Sequence, residues 1–245
     1  QHRLAAAEPR FVVGLDELPE GPLIVVANEF LDALPIRQLM RGRADWGERM
    51  IGLDAGGRFA FVESPESPAL TLLVPPVLRD SAPGSVVEIC PAAAALAASL
   101  GERLVRGSGF ALFIDYGYFP SAPGPTLTAL RHHQPTGLFD EPGGGDLSAH
   151  VDFAVFATAA ESAGAVVHGP VQQRHFLLAL GAEARLAALA ARASPDQRSG
   201  LASGLDRLID PGQMGKLFKV LGLTSPGLPA PAGFAAAPAS ARETR

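Results

Sequence analysis

The sequence has a single cysteine, Cys90, among its 245 residues. One thiol excludes an internal disulfide framework and any zinc site built from several cysteines. The formal net charge is −5 and only 18% of the residues are charged, so the chain lacks the positive field with which proteins hold nucleic acid. No apolar run approaches the roughly 18 residues that a membrane-spanning helix needs. We therefore expect neither a nucleic-acid partner nor an integral membrane segment.

What the sequence does have is apolar content, 47% of its residues, enough for one large domain or two small ones. Residues 23–28 (LIVVAN) and 109–115 (GFALFID) are continuous apolar runs, which are typical of strands buried on both faces of a parallel sheet. Helical segments alternate with such strands, and this pattern predicts an α/β protein with a doubly wound sheet. Two or three antiparallel strands expected within residues 36–63, with a turn at 54–57, predict an insertion in that sheet.

Periodicity, together with Pro and Gly boundaries, predicts the other elements. The further strands are expected at residues 11–15, 85–89, 165–168 and 218–223, the last at a sheet edge. The helices are expected at residues 1–9, 91–105, 150–163, 172–180, 183–193 and 195–208. Residues 64–84 and the region around 127–145 are predicted loops, and the tail at 225–245, rich in Ala, Pro and Gly, is predicted to be disordered.

Polar residues follow abruptly at the carboxyl ends of the two strongest strands. Asn28, Glu29 and Asp32 follow the first strand, and Asp115 and Tyr116 end the second. In an open α/β sheet, ligands bind outside the carboxyl ends of the strands, which makes both clusters candidates for a binding site. A helical turn after Asn28 would place Glu29 and Asp32 on one face, where two carboxylates can bind a guanidinium, an amine or a ribose.

Each cluster also has a structural interpretation. Asn28 or Asp32 can cap the next helix, and Asp115 can belong to a strand-end turn in which Gly117 takes a positive φ. Elsewhere the histidines lack the spacing of metal ligands, no two of them standing at i and i+4. The sequence also lacks a phosphate-binding P-loop and the Gly-x-Ser-x-Gly motif of serine hydrolases. We expect no metal.

One segment carries a closer resemblance. Residues 27–35, Ala-Asn-Glu-Phe-Leu-Asp-Ala-Leu-Pro, resemble the Asn-Glu-Phe-x-Asp-Ala-Leu-Pro signature of the MidA family. These proteins are S-adenosylmethionine-dependent methyltransferases and include the mitochondrial complex I assembly protein-arginine methyltransferase. Agreement continues in order at residues 48–53, 114–117, 146–153, 176–181 and 213–220.

The resemblance implies a class I methyltransferase (Rossmann-like) sheet, with strand order 3-2-1-4-5-7-6, and S-adenosyl-L-methionine as the cofactor. It implies that Glu29 and Asp32 are catalytic and fix the guanidinium of an arginine acceptor. Asn28, Glu29 and Phe30 would bind the cofactor. The residues implied for the acceptor pocket are Asp115, Tyr116, His150 and Asp152.

Two family features are not found in the sequence, namely the Gly-x-Gly cofactor loop and the acid that binds the ribose. We therefore expect a chain that is missing its first strands, binds cofactor weakly or not at all, exposes the strand at 23–28 and tends to aggregate. The alternative is that residues 11–15 shift beside residues 23–28 and cover this edge. The expected parts are a remnant of the cofactor-binding half (1–35), the antiparallel insertion and loop (36–84), the rest of the methyltransferase domain with accessory helices (85–224) and the disordered tail (225–245).

The function that the resemblance implies is methylation of protein arginine, linked to respiratory complex I assembly, with a protein substrate such as a complex I subunit. The alternative is a non-catalytic scaffold that binds a protein partner through the same fold. A bacterial source would imply the cytoplasm, and a eukaryotic source the mitochondrial matrix. The sequence does not predict the oligomeric state.

Overall fold

The computed structural model describes residues 9–132 and 134–234, so most of the helix expected at 1–9 lies outside the described residues. The strands are β1 (Leu23–Asn28), β2 (Arg37–Arg41), β3 (Trp46–Leu53), β4 (Phe59–Glu63), β5 (Val86–Ile89), β6 (Gly109–Tyr118), β7 (Thr128–Arg131), β8 (Gln134–Thr136), β9 (Asp146–Ser148), β10 (Val151–Asp152), β11 (Val166–Gln172) and β12 (Phe218–Thr224). The helices are α1 (Pro68–Thr71), α2 (Pro91–Gly107), α3 (Phe153–Ser162), α4 (Gln173–Ala179), α5 (Ala182–Ala190), α6 (Pro195–Ile209) and α7 (Met214–Leu217).

The main sheet has the order β1-β6-β12-β11, and the short β10 pairs with the end of β6. β1 and β6 are parallel, whereas β12 runs antiparallel to both of its neighbours. The order corresponds to the 4-5-7-6 part of the sheet that the resemblance implies, and the strands predicted at 23–28 and 109–115 are confirmed. The strand predicted at an edge, 218–223, is instead central, because β12 is hydrogen-bonded on both sides.

The strand predicted at 11–15 does not form. Residues 9–14 have no regular structure and Leu15–Glu17 make a single 3-10 turn, so this segment does not pair with β1. Within the described residues, β6 is the one strand partner of β1. The outward side chains Ile24 and Val26 are 79% and 67% exposed, so the expectation that residues 23–28 are buried on both faces is wrong.

The core lies between the sheet and the helices α2 and α3. Phe113 of β6 packs edge-on against Phe156 of α3, with ring centroids 4.7 Å apart. Leu100 and Leu104 of α2 and Leu221 of β12 complete the centre of this cluster and are at most 1% exposed. Both helices therefore cover the same face of the sheet.

The insertion forms its own antiparallel sheet, β4-β3-β2-β5, around a small core that contains the fully buried Trp46. The turn predicted at 54–57 joins β3 to β4, and Gly57 takes a φ of 76° there. Since β5 pairs with β2, the insertion sheet extends beyond the boundary expected at residue 84. A third sheet, β8-β7-β9, occupies part of the region predicted as loop.

The first part of the predicted disordered tail is packed against the domain. The hydroxyl of Ser225 donates to the carbonyl of Leu104 at 2.7 Å. The ring of Phe234 lies 5.2 Å from that of Phe176. The prediction is thus wrong for residues 225–234, while 235–245 lie outside the described residues. In the described ranges, no helix has both the length and the apolar character needed to cross a membrane.

Candidate functional site

The segment that leaves β1 is a loop organised around the side chain of Asp115. Its Oδ2 atom accepts the backbone N–H groups of Phe30, Leu31 and Asp32 at 3.1, 2.9 and 3.3 Å. Its Oδ1 atom accepts the backbone N–H of Tyr116 at 2.9 Å. Because one carboxylate satisfies three successive N–H groups, the backbone curves around it instead of starting a helix.

Asp115 is only 1% exposed. Burial, and secondly the charge of Asp32, raise the pKa of Asp115 to about 6, while its backbone N–H donors oppose the rise. The carboxylate lies beneath the loop, with both oxygens engaged by the backbone. The structure therefore makes Asp115 a positioning residue for the loop and not a group exposed to an acceptor.

Glu29 is exposed at the carboxyl end of β1 and has a positive φ of 47°. This left-handed conformation is uncommon for residues other than glycine and is often found at functional sites. Its backbone N–H donates to the carbonyl of Ile114 at 2.9 Å, and its Oε1 accepts the amide of Asn28 at 3.3 Å. The helical turn expected after Asn28 is absent, so Glu29 and Asp32 do not share a helix face.

Asp32 instead faces Tyr116, whose hydroxyl donates to its Oδ2 atom. The Oδ1 atom of Asp32 is buried and has no hydrogen-bond partner among the described residues. Burial, followed by the hydrogen bond to Asp32, raises the pKa of Tyr116, which therefore stays protonated as a donor. The ring of His150 packs edge-on against Tyr116 with centroids 5.6 Å apart, and burial lowers the pKa of His150.

Asp152 caps helix α3. Its Oδ1 atom accepts the N–H groups of Ala154 and Val155 at 3.0 and 3.1 Å, and the hydroxyl of Ser121 at 3.0 Å. Burial raises the pKa of Asp152. The alternative interpretation, a strand-end turn in which Gly117 takes a positive φ, is wrong, because Gly117 does not have a positive φ. Instead it admits β10, since a Cβ there would lie 2.1 Å from a β10 carbonyl oxygen.

Sequence reasoning did not single out Glu88, a buried carboxylate on β5 that is 4% exposed. It accepts the side-chain amide of Gln38 at 2.8 Å and the backbone N–H groups of Thr126 and Leu127 at 3.0 Å each. The hydroxyl of Thr126 in turn accepts the backbone N–H of His150 at 2.8 Å. A lone acid within an apolar strand was the available signal, and its role is to position the segment that carries His150.

A pocket of about 570 Å³ adjoins the loop, with Leu31, His150 and Asp152 among its lining residues. Asn28, Glu29, Asp32 and Tyr116 do not line it. The predicted site residues thus form two neighbouring groups: one at the carboxyl ends of β1 and β6, and one, His150 and Asp152, in the pocket lining. Tyr116 links the two groups, since it contacts both Asp32 and His150. Throughout the described ranges, no three His, Cys, Asp or Glu side chains are arranged to hold a metal ion.

Comparison of the chain with known proteins identifies its family. A family model described as "Putative S-adenosyl-L-methionine-dependent methyltransferase" matches residues 1–171. The chain is 35% identical over 215 residues to "Protein arginine methyltransferase NDUFAF7 homolog, mitochondrial" of Drosophila melanogaster, covering 85% of this chain and 48% of that protein. It is 30% identical over 213 residues to the human NDUFAF7 protein, covering 85% of this chain and 47% of the human one.

Similar solved structures include a Burkholderia thailandensis protein bound to S-adenosyl-homocysteine, with a TM-score of 0.74 and 32% identity, over 89% of this chain and 57% of that one. The chain spans about half the length of the curated relatives that it matches. The family match, the strand order and the segment at 27–35 agree with one another. The chain belongs to the MidA-like family of S-adenosylmethionine-dependent methyltransferases.

Proposed function

We propose that the protein to which this chain belongs methylates arginine side chains of a protein substrate. The observation that carries the proposal is the loop held by Asp115, which leaves Glu29 exposed at the carboxyl end of β1. An exposed carboxylate at that end of a parallel sheet suits a cationic ligand. The curated relatives named above are called protein arginine methyltransferases, which supports arginine as the acceptor.

The residues that follow β1 fit one side of a nucleoside cofactor. Asn28 and Glu29 offer an exposed amide and carboxylate for amine or hydroxyl groups, and the ring of Phe30 is 49% exposed and free to stack. S-adenosylmethionine supplies a methyl group on a positively charged sulfur, which becomes a neutral thioether once the methyl has left. In the described ranges, no Gly-x-Gly turn joins a strand to a helix, so these residues supply part of the cofactor's contacts.

Methylation of an arginine, as proposed for this protein, requires a group that orients the guanidinium and removes one proton from it. Glu29 accepts N–H bonds from the planar guanidinium and leaves one nitrogen free to form the new N–C bond. The same carboxylate takes the proton that the methylated nitrogen gives up, so the product keeps a single positive charge. Asp32, oriented by the hydroxyl of Tyr116, is the second acceptor in this proposal, and its buried, unpartnered Oδ1 must become exposed for the guanidinium to reach it.

Two finer points of the proposal rest on likeness to relatives. We propose that the acceptor is a subunit of respiratory complex I, as the resemblance of residues 27–35 to the MidA family implies. The relatives named above are called mitochondrial, so we propose the mitochondrial matrix for a eukaryotic source and the cytoplasm for a bacterial one.

The test is to incubate the intact protein with isotopically labelled S-adenosylmethionine and arginine-containing peptides, and to identify methylated residues by mass spectrometry. We expect methylarginine, and no label in matched peptides that carry lysine at the same position. Labelled lysine would contradict the arginine assignment. Binding of the peptides without any methylated product would favour the non-catalytic scaffold instead.

A further inference from the structure

The pocket beside the loop lies at the same end of the sheet as Glu29. Helices α2 and α3 run back along the sheet, so their first turns lie near the carboxyl ends of β1 and β6. Ala94 in α2, and Ala154 and Val155 in α3, line the pocket from those first turns. Its volume of about 570 Å³ is in the range of sites that bind small ligands.

The pocket and the candidate site share one wall. The backbone N–H of Leu31 is held by Asp115 at 2.9 Å, while Leu31 itself lines the pocket. The backbone carbonyl of Asp32 accepts the N–H of Ala149 at 3.0 Å, and Ala149 also lines the pocket. A polypeptide whose arginine reaches Glu29 therefore contacts the loop that forms one wall of this pocket.

The lining is mainly apolar. The rim segment carries Leu72 and Val77, which are 71% and 78% exposed, and exposed apolar side chains around a cavity are typical of binding sites. The acids of the lining, Glu88 and Asp152, are engaged within the protein, since Glu88 is buried and accepts backbone N–H groups and Asp152 caps α3. Its one arginine, Arg79, is already engaged, because its Nε donates to Val74 and its Nη2 to Leu72, both at backbone carbonyls.

We propose that this pocket binds large apolar side chains that stand next to the methylated arginine in the substrate polypeptide. This inference rests on the proposed function, since it names the sequence context that the arginine must have. The shared wall explains why one segment can occupy both places. The protein then selects arginines that have aliphatic or aromatic neighbours.

Cys90 gives a direct readout of occupancy, because it is the chain's single cysteine and its residue lines the pocket. The thiol is half-buried at the start of α2, where its sulfur accepts the N–H of Ala93 at 3.4 Å. A side chain that fills the pocket will shield this thiol. The rate of its modification by a thiol reagent therefore measures binding without any need for methyl transfer.

The experiment compares three synthetic peptides: one with arginine followed by Leu-Phe, one with arginine followed by Ala-Ala, and one with glutamine followed by Leu-Phe. We expect the arginine peptide with Leu-Phe to bind about tenfold or more tightly than its Ala-Ala counterpart. Both Leu-Phe peptides should slow Cys90 modification. Equal affinities, or an unchanged modification rate with either Leu-Phe peptide at saturation, would overturn the inference.

Pocket-filling variants test the location. Ala94→Phe, and separately Thr158→Phe at an exposed position of the lining, should remove the preference for Leu-Phe. Ala95→Phe, on an exposed position of the same helix outside this pocket, should keep it. A preference that survives both pocket variants would place binding elsewhere. Methylation of arginine without any preference for apolar neighbours would contradict the proposed role of the pocket but not the proposed function. Protection of Cys90 without methylation would contradict the proposed function but not the role of the pocket.

Discussion

Replacing Asp115 with asparagine should remove a specific pH dependence of the protein's stability. Burial, and then the charge of Asp32, raise the pKa of Asp115 from its ordinary value of 3.8 to about 6 in the folded protein. The ionised form is thus less favourable in the folded state than in the unfolded state. Because the folded-state pKa is the higher one, the stability that the protonated group contributes is present below about pH 4 and is lost as the pH rises through 6.

The magnitude follows from the two pKa values. With roughly 1.4 kcal/mol for each pH unit between them, the full change is about 3 kcal/mol. Solvent screening does not reduce it much, since Asp115 is only 1% exposed. The Asp115→Asn variant cannot ionise at this position and should lack this change.

The assay is urea unfolding of both proteins at a series of pH values from about 3 to about 8. The free energy of unfolding of the wild type, minus that of Asp115→Asn, should fall by about 3 kcal/mol over this range. The opposite effect of His150, whose pKa burial lowers, occurs in both proteins and cancels. A difference that stays constant, or that rises with pH, would refute the reasoning.

Asp54→Asn is the matched control of opposite sign. Backbone N–H groups and Arg58 lower the pKa of Asp54, which lies in an exposed turn. Its contribution to stability is therefore present above the unfolded-state pKa and is lost as the pH falls. The free energy of unfolding of the wild type, minus that of Asp54→Asn, should therefore rise with pH. The corresponding difference for Asp115→Asn should fall.

Three further substitutions test other parts of the account. Tyr116→Phe should lower the free energy of unfolding, measured by urea titration, by about 1–3 kcal/mol, because it leaves both carboxylate oxygens of Asp32 without a partner. Unchanged stability would mean that water or another group replaces the hydroxyl. Glu88→Gln should cost about 2 kcal/mol or more by the same measurement, because it places an NH2 group where the second carboxylate oxygen accepts the hydroxyl of Thr126. A neutral effect would contradict its positioning role. Val26→Lys replaces an exposed apolar side chain of β1 with a charged one. It should reduce concentration-dependent light scattering by this chain without loss of stability. Equal scattering would show that another surface drives association.

The sequence predicted those parts of the site that depend on local pattern. The apolar run at 23–28 and the abrupt polar residues after it placed Asn28 and Glu29 at the carboxyl end of a strand, as the structure shows. What local pattern could not reveal is the role of Asp115, since three of the four backbone N–H groups that it accepts lie 83 to 85 positions away. Nothing in side-chain identity marks a backbone N–H as unpaired.

The errors in the fold have similar causes. The run at 218–223 was predicted at an edge, although β12 has almost every residue buried, as suits a central strand. The low complexity of the tail concealed the packing of Phe234 on Phe176, because composition does not report a single long-range aromatic contact. The three short strands β7, β8 and β9 were missed because segments of three or four residues carry too few positions for a period to be recognised.

The most direct test of the central claim is the rate of arginine methylation by the intact protein carrying Glu29→Gln. Glutamine keeps the shape of the side chain but cannot accept a proton or hold a guanidinium by charge. The exposed Glu63→Gln on β4 is the matched control. We predict a fall in kcat of about a hundredfold or more, equivalent to roughly 2.7 kcal/mol of transition-state stabilisation, with the control unchanged. Equal rates for Glu29→Gln and the wild type would contradict the account.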